Sequence, residues 1–208
     1  MTSATNGRAH VLDRPFYDRD ARDVAPELLN KILVAGHCAG RIVEVEAYVA
    51  DDRASHSYNG PTMRNRVMFG PPGYLYVYFT YGMHFCANVV TGAEDDGQAV
   101  LIRALEPLKG LSEMRIRRPN VTRDIDLASG PGKLTRAMAI GRDNNGQDLC
   151  RSRIRIVDDG MAPPLKPGVS ARIGITEAAH FPWRWYVEGN PHVSKSSRME
   201  TVDPTIAV

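Results

Sequence analysis

The chain has 208 residues, 43% of them hydrophobic, and a formal net charge of +2 at pH 7. This length and composition suffice for one domain with a substantial core, and the lack of an apolar run of about 18 residues predicts that no helix spans a membrane. The near-neutral charge identifies no partner, although basic residues gather around positions 64–66, 115–118 and 151–155. Such clusters suit an anionic partner and are equally typical of a solvated surface.

The two ends of the chain are polar, and we expect a disordered tail over residues 1–10, a single domain over 11–194 and a polar tail over 195–208. The N-terminal residues lack the apolar stretch of a secretory signal, which predicts a cytoplasmic protein. The cysteines are odd in number and widely spaced, which favours free thiols. Without a CxxC pair or an HExxH motif, no metal site is expected.

Hydrophobic periodicity predicts a mixed order of helices and strands. The first helix is predicted over 24–34, with Pro26 in its first turn and Gly36 just beyond its end. A second is predicted over 108–117, and the sequence SGPGKL predicts a loop that opens a third helix, ended by Gly141. The predicted strands cover residues 41–49, 74–81, 84–91, 98–105, 153–157, 171–175 and 184–188. This order favours an α+β fold, a single compact domain with a curved, largely antiparallel sheet and surrounding helices.

The first strand reads RIVEVEAY and carries two acids and a tyrosine at every second position. Because side chains alternate between the faces of a strand, the apolar residues at 43, 45 and 47 should enter a core, while Glu44, Glu46 and Tyr48 share the opposite face with Ile42. That face is either the solvated side of an exposed strand or a partly enclosed surface. A carboxylate in an enclosed surface could serve as a general base.

The strand that follows is rich in tyrosine. Tyr74, Tyr76 and Tyr78 share one of its faces by alternation. The sequence Tyr81-Gly82-Met83 then predicts a tight turn, with Tyr81 projecting from the tip of a β-hairpin. Such a tyrosine either packs on its own sheet or inserts between stacked bases, where it fills the space left by an extruded nucleotide.

Several motifs, taken together, resemble one family. In chain order they read IVEVEAY, ASHSYNGPTMRNRVMF, PPGYLYVYFTYGMHFCANVV, VLIRALEPLKG and SGPGKL, followed by RIGI and WYVEGNPHVS. Their order and spacing resemble the alkyladenine (3-methyladenine, methylpurine) DNA glycosylase family over residues 12–194. The resemblance implies a base-excision-repair enzyme that flips 3-methyladenine, 7-methylguanine, hypoxanthine or ethenoadenine out of double-stranded DNA and hydrolyses the N-glycosidic bond. It also implies a monomer without metal or cofactor, with a β-hairpin projecting at its DNA-binding face.

The resemblance further implies roles for individual residues. Glu46 matches the catalytic glutamate that activates water, and Arg103 matches an arginine that organises the water and the nearby DNA backbone. Tyr48 and Tyr78 match the aromatic residues that sandwich the flipped base. The other matches are His56, which contacts the base or its neighbouring backbone, Asn88, which disfavours normal guanine, and Tyr81, which wedges into the duplex.

Contacts to the DNA backbone are expected from Arg64 and Arg66, and from Lys133 with the amides of SGPGKL, although this segment equally fits an ordinary helix entry. Glu44 is expected to support the acidic motif. No lysine lies in the VEVEAY or tyrosine motifs to form a Schiff base with the sugar, which predicts a monofunctional glycosylase without lyase activity.

Two other functions remain open from the sequence. A non-catalytic module that binds damaged DNA on the same scaffold would gain nothing from a carboxylate on a surface that faces phosphates, so Glu46 argues against it. An N-glycosidase acting on RNA or free nucleosides would need no wedge, so Tyr81 argues against it.

Overall fold

The structure of the chain is a computed structural model that describes residues 9–80 and 82–195. Across these residues, nine strands form one curved sheet in which the pairings are antiparallel. The strands are β1 (His10–Val11), β2 (Ile32–Ala35), β3 (Cys38–Tyr48), β4 (Leu75–Thr80), β5 (His84–Thr91), β6 (Gln98–Lys109), β7 (Ile154–Asp158), β8 (Gly168–Ser170) and β9 (Arg184–Tyr186). Their main order is β1-β7-β2-β3-β6-β5-β4, and β9 pairs with β3 and β8. The predicted single α+β domain is confirmed.

Short helices cover this sheet. They are α1 (Arg14–Tyr17), α2 (Ala21–Leu28), α3 (Leu111–Arg117) and α4 (Pro131–Met138), with 3₁₀ turns at Arg66–Phe69, Asp124–Asp126 and Arg142–Asn144. The main core joins apolar side chains of α2 and α4 to those of the central strands. Within 9–80 and 82–195, no helix has the length and apolarity needed to cross a membrane.

The alternation predicted for the tyrosine strand is confirmed in β4. Leu75 and Val77 enter the main core. Tyr76 belongs to a second, smaller cluster, against which Tyr74 and Tyr78 pack. One face of β4 therefore stabilises the fold, and the other presents tyrosines to a separate surface.

The helix predicted over 24–34 is wrong at both ends. The Asp20 side chain accepts a hydrogen bond from the Arg22 N–H at 2.8 Å, so this N-cap starts α2 at Ala21 and leaves Pro26 inside the helix. The helix ends at Leu28, Asn30 adopts a positive φ of 68°, and residues 32–35 form β2. The apolar run at 32–34 fits a strand because β2 is buried between β3 and β7.

Further boundaries also differ from the sequence prediction. The helix predicted over 108–117 begins only at Leu111, because β6 continues to Lys109. Residues 171–175 form no strand, and the short strand in this region is β8 instead. Helix α4 ends at Met138, where Ala139 takes the left-handed conformation that was expected of Gly141. The irregular segment at 171–175 nevertheless contributes to the candidate site, because the main-chain N–H of Ile173 donates to Glu46.

A bulge between β3 and β6 breaks the regular alternation of the acidic strand. Ile42 pairs with Leu105, Glu44 with Ala104 and Val45 with Ile102, so Val43 and Arg103 have no partner residue across this pair. Ile42 therefore joins Val45 in the main core, and the prediction that it shares the face of the glutamates is wrong. Bulges redirect side chains, and this one places Arg103 beside the two acids.

Candidate active site

A cavity of about 400 Å³ opens between β4, β5, β6 and the end of β3. Its size and its mainly apolar and aromatic walls are typical of a small-molecule pocket. Five residues singled out in the sequence line it together. They are Tyr48, His56, Tyr78, Asn88 and Arg103. The lining also includes Met68, Tyr76, Cys86, Leu101, Pro131 and Ile173.

Glu46 lies directly behind this wall, at the centre of the sheet between β6 and β9. Its side chain is completely buried. One oxygen, Oε1, accepts a hydrogen bond from the Ile173 N–H at 2.7 Å and lies 3.0 Å from Arg103 Nη1, and Oε2 accepts from the Tyr48 hydroxyl at 2.8 Å. Because three lining residues contact it, the carboxylate is held in a fixed orientation directly behind the cavity wall.

Glu44 is also completely buried, which excludes the solvated-face interpretation of the acidic strand. Its Oε1 accepts hydrogen bonds from Arg103 Nε at 2.9 Å, Arg184 Nε at 2.7 Å and the Ser194 hydroxyl at 2.8 Å, and its Oε2 accepts from the Ser194 N–H at 2.7 Å. Burial alone would raise the pKa of Glu44, but Arg103 and Arg184 hold it below its usual value. Glu44 is therefore a charged structural group.

Arg103 bridges the two acids. Its Nε contacts Glu44 and its Nη1 contacts Glu46, and its side chain is only 7% exposed. Burial acts to lower the pKa of Arg103, but the carboxylates of Glu46 and Glu44 raise it overall. The cavity wall thus carries a fixed positive charge whose position depends on both glutamates.

Tyr48 and Tyr78 are two of the aromatic residues of the wall. Burial, reinforced by the Glu46 carboxylate, raises the pKa of the Tyr48 phenol well above its usual value, so Tyr48 is a neutral hydrogen-bond donor. The Tyr78 ring packs edge-on against His56, with ring centroids 4.4 Å apart, and lies 5.5 Å from the Tyr76 ring. Both tyrosines are held by neighbours on the sheet.

His56 enters the cavity from the segment between β3 and the first 3₁₀ turn. Its Nδ1 lies 3.0 Å from the Tyr76 hydroxyl. Burial lowers the pKa of His56, and the charge of Arg64 lowers it further, so the imidazole is neutral at pH 7. Burial also raises the pKa of Tyr76 to about 12. His56 is therefore a neutral hydrogen-bonding group.

Asn88 is buried on β5 and faces the cavity. It pairs with Tyr76 across β4 and with Leu101 across β6. Its Nδ2 donates to the Tyr76 carbonyl at 3.1 Å, which fixes the orientation of the amide. The cavity therefore has a rigid polar group on its floor.

The site occurs in a chain whose sequence matches the family model described as "Methylpurine-DNA glycosylase (MPG)" over residues 15–191. The chain belongs to the methylpurine-DNA glycosylase family. A protein of Burkholderia lata named "Putative 3-methyladenine DNA glycosylase" is 58% identical over 188 residues, which cover 88% of this chain and 91% of that protein. Proteins of the same name from Methanoculleus marisnigri and Rhodopseudomonas palustris are 50% and 48% identical over 191 and 185 residues. These alignments each cover 89% of this chain, and 99% and 88% of those proteins.

For this member of the methylpurine-DNA glycosylase family, sequence reasoning assigned no site role to several lining residues, and two of these contact predicted site residues directly. Alternation places Tyr76 on the face of Tyr78, so the same signal could have found it. Ile173 donates its main-chain N–H to Glu46. Because a main-chain group does not depend on the type of side chain, this contact could not be predicted from the residue's identity.

The predicted DNA-backbone residues lie outside the cavity lining. Arg64 and Arg66 are exposed, and Arg64 Nη2 donates to the Phe79 carbonyl at 2.9 Å, beside the hairpin. Lys133 is exposed near the start of α4, with its Nζ 3.4 Å from the Ser129 hydroxyl. Because Pro131 begins α4 and lines the cavity, the SGPGKL segment is both a helix entry and part of the site.

The predicted wedge, Tyr81, lies outside the described residues. On either side of it, Thr80 pairs with His84, and the Met83 N–H donates to the Thr80 carbonyl at 3.2 Å, so a turn joins β4 to β5. Phe79 and Met83 near this turn are 39% and 71% exposed. In the described part of the chain, no group of three or more His, Cys, Asp or Glu could hold a metal ion.

Proposed function

We propose that the chain is a DNA glycosylase of base excision repair that flips an alkylated or deaminated purine out of duplex DNA and hydrolyses its N-glycosidic bond. Membership of the methylpurine-DNA glycosylase family supports DNA glycosylase activity. The observation that carries the finer proposal is the fully buried Glu46, fixed directly behind an aromatic cavity by Tyr48, Arg103 and Ile173. The expected substrates are 3-methyladenine, 7-methylguanine, hypoxanthine and ethenoadenine.

The proposed reaction uses Glu46 as the base that orients and deprotonates water. As the bond from C1′ to the purine breaks, its electron pair leaves with the purine and positive charge develops on the sugar. The carboxylate stabilises that charge and accepts a proton from the water that adds to C1′. Arg103, which contacts Glu46 at 3.0 Å, keeps the carboxylate in place and gives the nearby DNA backbone a cationic partner.

The flipped purine is proposed to stack between Tyr48 and Tyr78. Base–aromatic stacking contributes about 1–3 kcal/mol per base, and the negative faces of the rings attract a cationic alkylated purine. His56, neutral and held by Tyr76, would hydrogen-bond to the base or to its neighbouring backbone. Asn88 would crowd the amino group of normal guanine, because its own amide is fixed by the Tyr76 carbonyl.

The DNA itself would be held by positive charge around the cavity and by a wedge in the duplex. Arg64, Arg66 and Lys133 are exposed, so their charges could face phosphates. Tyr81 is the proposed wedge. No lysine is among the described residues that line the cavity, which supports a monofunctional reaction ending at an abasic site. We expect the enzyme to act as a cytoplasmic monomer.

The proposal is tested with duplex oligonucleotides that carry one of the four lesions. The wild-type protein should release the base, and the strand should break at that position only after hot alkali. A break without alkali would contradict the monofunctional reaction. Tight binding of lesion duplexes without release of any base would instead favour the non-catalytic binding module.

Tyr81→Ala should lower excision from duplex DNA more than excision from the same lesion in a single strand. A single strand has no stack to refill when its base is extruded, so the wedge contributes only in the duplex. We expect a loss of about 10-fold or more in duplex and a much smaller loss in the single strand. The measurement is the single-turnover rate on both substrates, and equal losses would overturn the wedge role.

A further inference from the structure

The Tyr48 ring has a buried positive charge on one of its faces. The guanidinium carbon of Arg172 lies 4.6 Å from the centroid of this ring and 5.1 Å from that of Trp183. Its Nη1 also donates to the Ala47 carbonyl at 3.0 Å, so the guanidinium is fixed to the strand that carries Tyr48. Such distances are those of cation–π contacts.

Arg172 is paired with an equally buried carboxylate. Its Nη2 donates to Asp52 Oδ1 at 3.0 Å, its Nη1 donates to Asp52 Oδ2, and both side chains have no exposed surface. Asp52 Oδ1 additionally accepts the Ala54 N–H at 3.0 Å. The pair therefore adds no net charge beneath Tyr48 in the wild-type protein.

The pair lies on the side of Tyr48 that faces away from the cavity. Tyr48 lines the cavity, whereas neither Arg172 nor Asp52 does. Because Arg172 covers one face of the ring, the face that can receive a base is the opposite one. A stacked base and the guanidinium would then sit on the two faces of one aromatic ring.

We propose that Asp52 neutralises the charge of Arg172 behind Tyr48 and thereby prevents that charge from disfavouring cationic lesion bases relative to neutral ones. The proposal rests on the proposed stacking of the flipped base on Tyr48. A cation behind a ring opposes a second cation in front of it, and Asp52 offsets this repulsion. The pair thus lets Tyr48 bind a cationic purine, such as 7-methylguanine, while Arg172 keeps the ring in place.

The separation of the charges gives the size of the effect. The guanidinium lies 4.6 Å from the ring centroid, and a base in contact with the other face lies about 3.5 Å from it, so the charges are about 8 Å apart. At an effective dielectric constant of about 20, an uncompensated charge at this distance changes binding of a cation about 10-fold or more. The same charge changes the binding of a neutral base much less.

The decisive variant is Asp52→Asn. It removes the negative charge but keeps the shape of the side chain, and Arg172 remains charged because arginine is not deprotonated in proteins. We expect Asp52→Asn to lower the ratio of kcat/KM for 7-methylguanine to kcat/KM for hypoxanthine about 10-fold. The double variant Asp52→Asn with Arg172→Met, which has neither charge, should return the ratio to within about threefold of wild type.

The ratio is measured by competition between two differently labelled duplexes in one reaction. Since both substrates meet the same enzyme, the fraction of folded protein cancels, and any loss of stability does not affect the readout. If the wild type releases only the cationic base, the hypoxanthine duplex is used as an unlabelled competitor, and its inhibition constant replaces kcat/KM. Arg172→Lys, which keeps the charge, is the control and should leave the ratio near that of wild type.

Two results would overturn the inference. In the first, Asp52→Asn changes release of both bases by the same factor, as a purely structural role predicts. In the second, the double variant shifts the ratio as far as Asp52→Asn alone, which would mean that the charge of Arg172 has no part in it. If the wild type releases neither base, the proposed function fails, a result distinct from an unchanged ratio in an active enzyme.

Discussion

Glu46→Gln is expected to lower the rate of base excision by about 10²–10⁴-fold, the usual contribution of a positioned general base. Glutamine has the shape of glutamate but cannot accept a proton from water or offset positive charge on the sugar. The loss should appear on cationic and neutral lesions alike, because both pass through a sugar with positive charge at C1′.

The contacts of Glu46 indicate that this variant keeps its fold. The amide oxygen of glutamine can accept from the Ile173 N–H and Arg103 at the place of Oε1. Its amide nitrogen would then replace Oε2, and the Tyr48 hydroxyl can turn from donor to acceptor. The cavity wall is therefore preserved, and binding of lesion DNA should change much less than excision.

The measurement is the single-turnover rate with enzyme in excess over a lesion duplex, together with the dissociation constant of the same duplex. Glu113→Gln is the matched control, because Glu113 lies on α3 in a partly exposed ion pair with Arg117 and does not line the cavity. It should excise at the wild-type rate. If Glu46→Gln excised as fast as this control, the proposed mechanism would be wrong.

Short-range patterns explain why so much of the sheet could be predicted from the sequence. The two-residue period of the tyrosine strand fixes which side chains enter the core, and β4 follows it. The resemblance to the family, rather than this period, singled out the five cavity residues, four of which lie on the neighbouring strands β3, β4, β5 and β6. The helix at 24–34 failed because the apolar run at 32–34 fits either a helix or a strand, and only its pairing with β3 and β7 decides.

The features of the candidate site that could not be predicted from the sequence depend on contacts between residues far apart in the chain. The burial of Glu44 depends on Arg184 of β9 and on Ser194, which lies 150 residues further along the chain. The bulge that directs Arg103 to both acids is a property of the paired strands, and neither strand shows it alone. The Arg172–Asp52 pair likewise joins residues 120 positions apart, and the RIGI motif that contains Arg172 does not indicate its partner.

The largest effect on stability is expected from Glu44→Gln, which should lower the free energy of unfolding at pH 7 by about 3–5 kcal/mol. The variant leaves the buried charges of Arg103 and Arg184 without the carboxylate that both contact. Glu27→Gln is the control, because Glu27 forms an ion pair with Arg19 in which both side chains are partly exposed. Removing such a surface pair should cost less than about 1 kcal/mol.

The difference between wild type and Glu44→Gln should also depend on pH, in a direction set by the pKa of Glu44. Burial acts to raise this pKa, but Arg103 and Arg184 hold it below its usual value in the folded protein. The stabilisation by Glu44 is therefore fully present above the unfolded pKa of about 4.3 and is lost as the pH falls through the folded pKa. Urea unfolding of both proteins between pH 7 and pH 3 should show a constant difference down to about pH 5 and a shrinking one below it. A difference that grew on acidification would mean that Glu44 is protonated in the folded state, and the charged bridge from Glu44 through Arg103 to Glu46 would then be wrong.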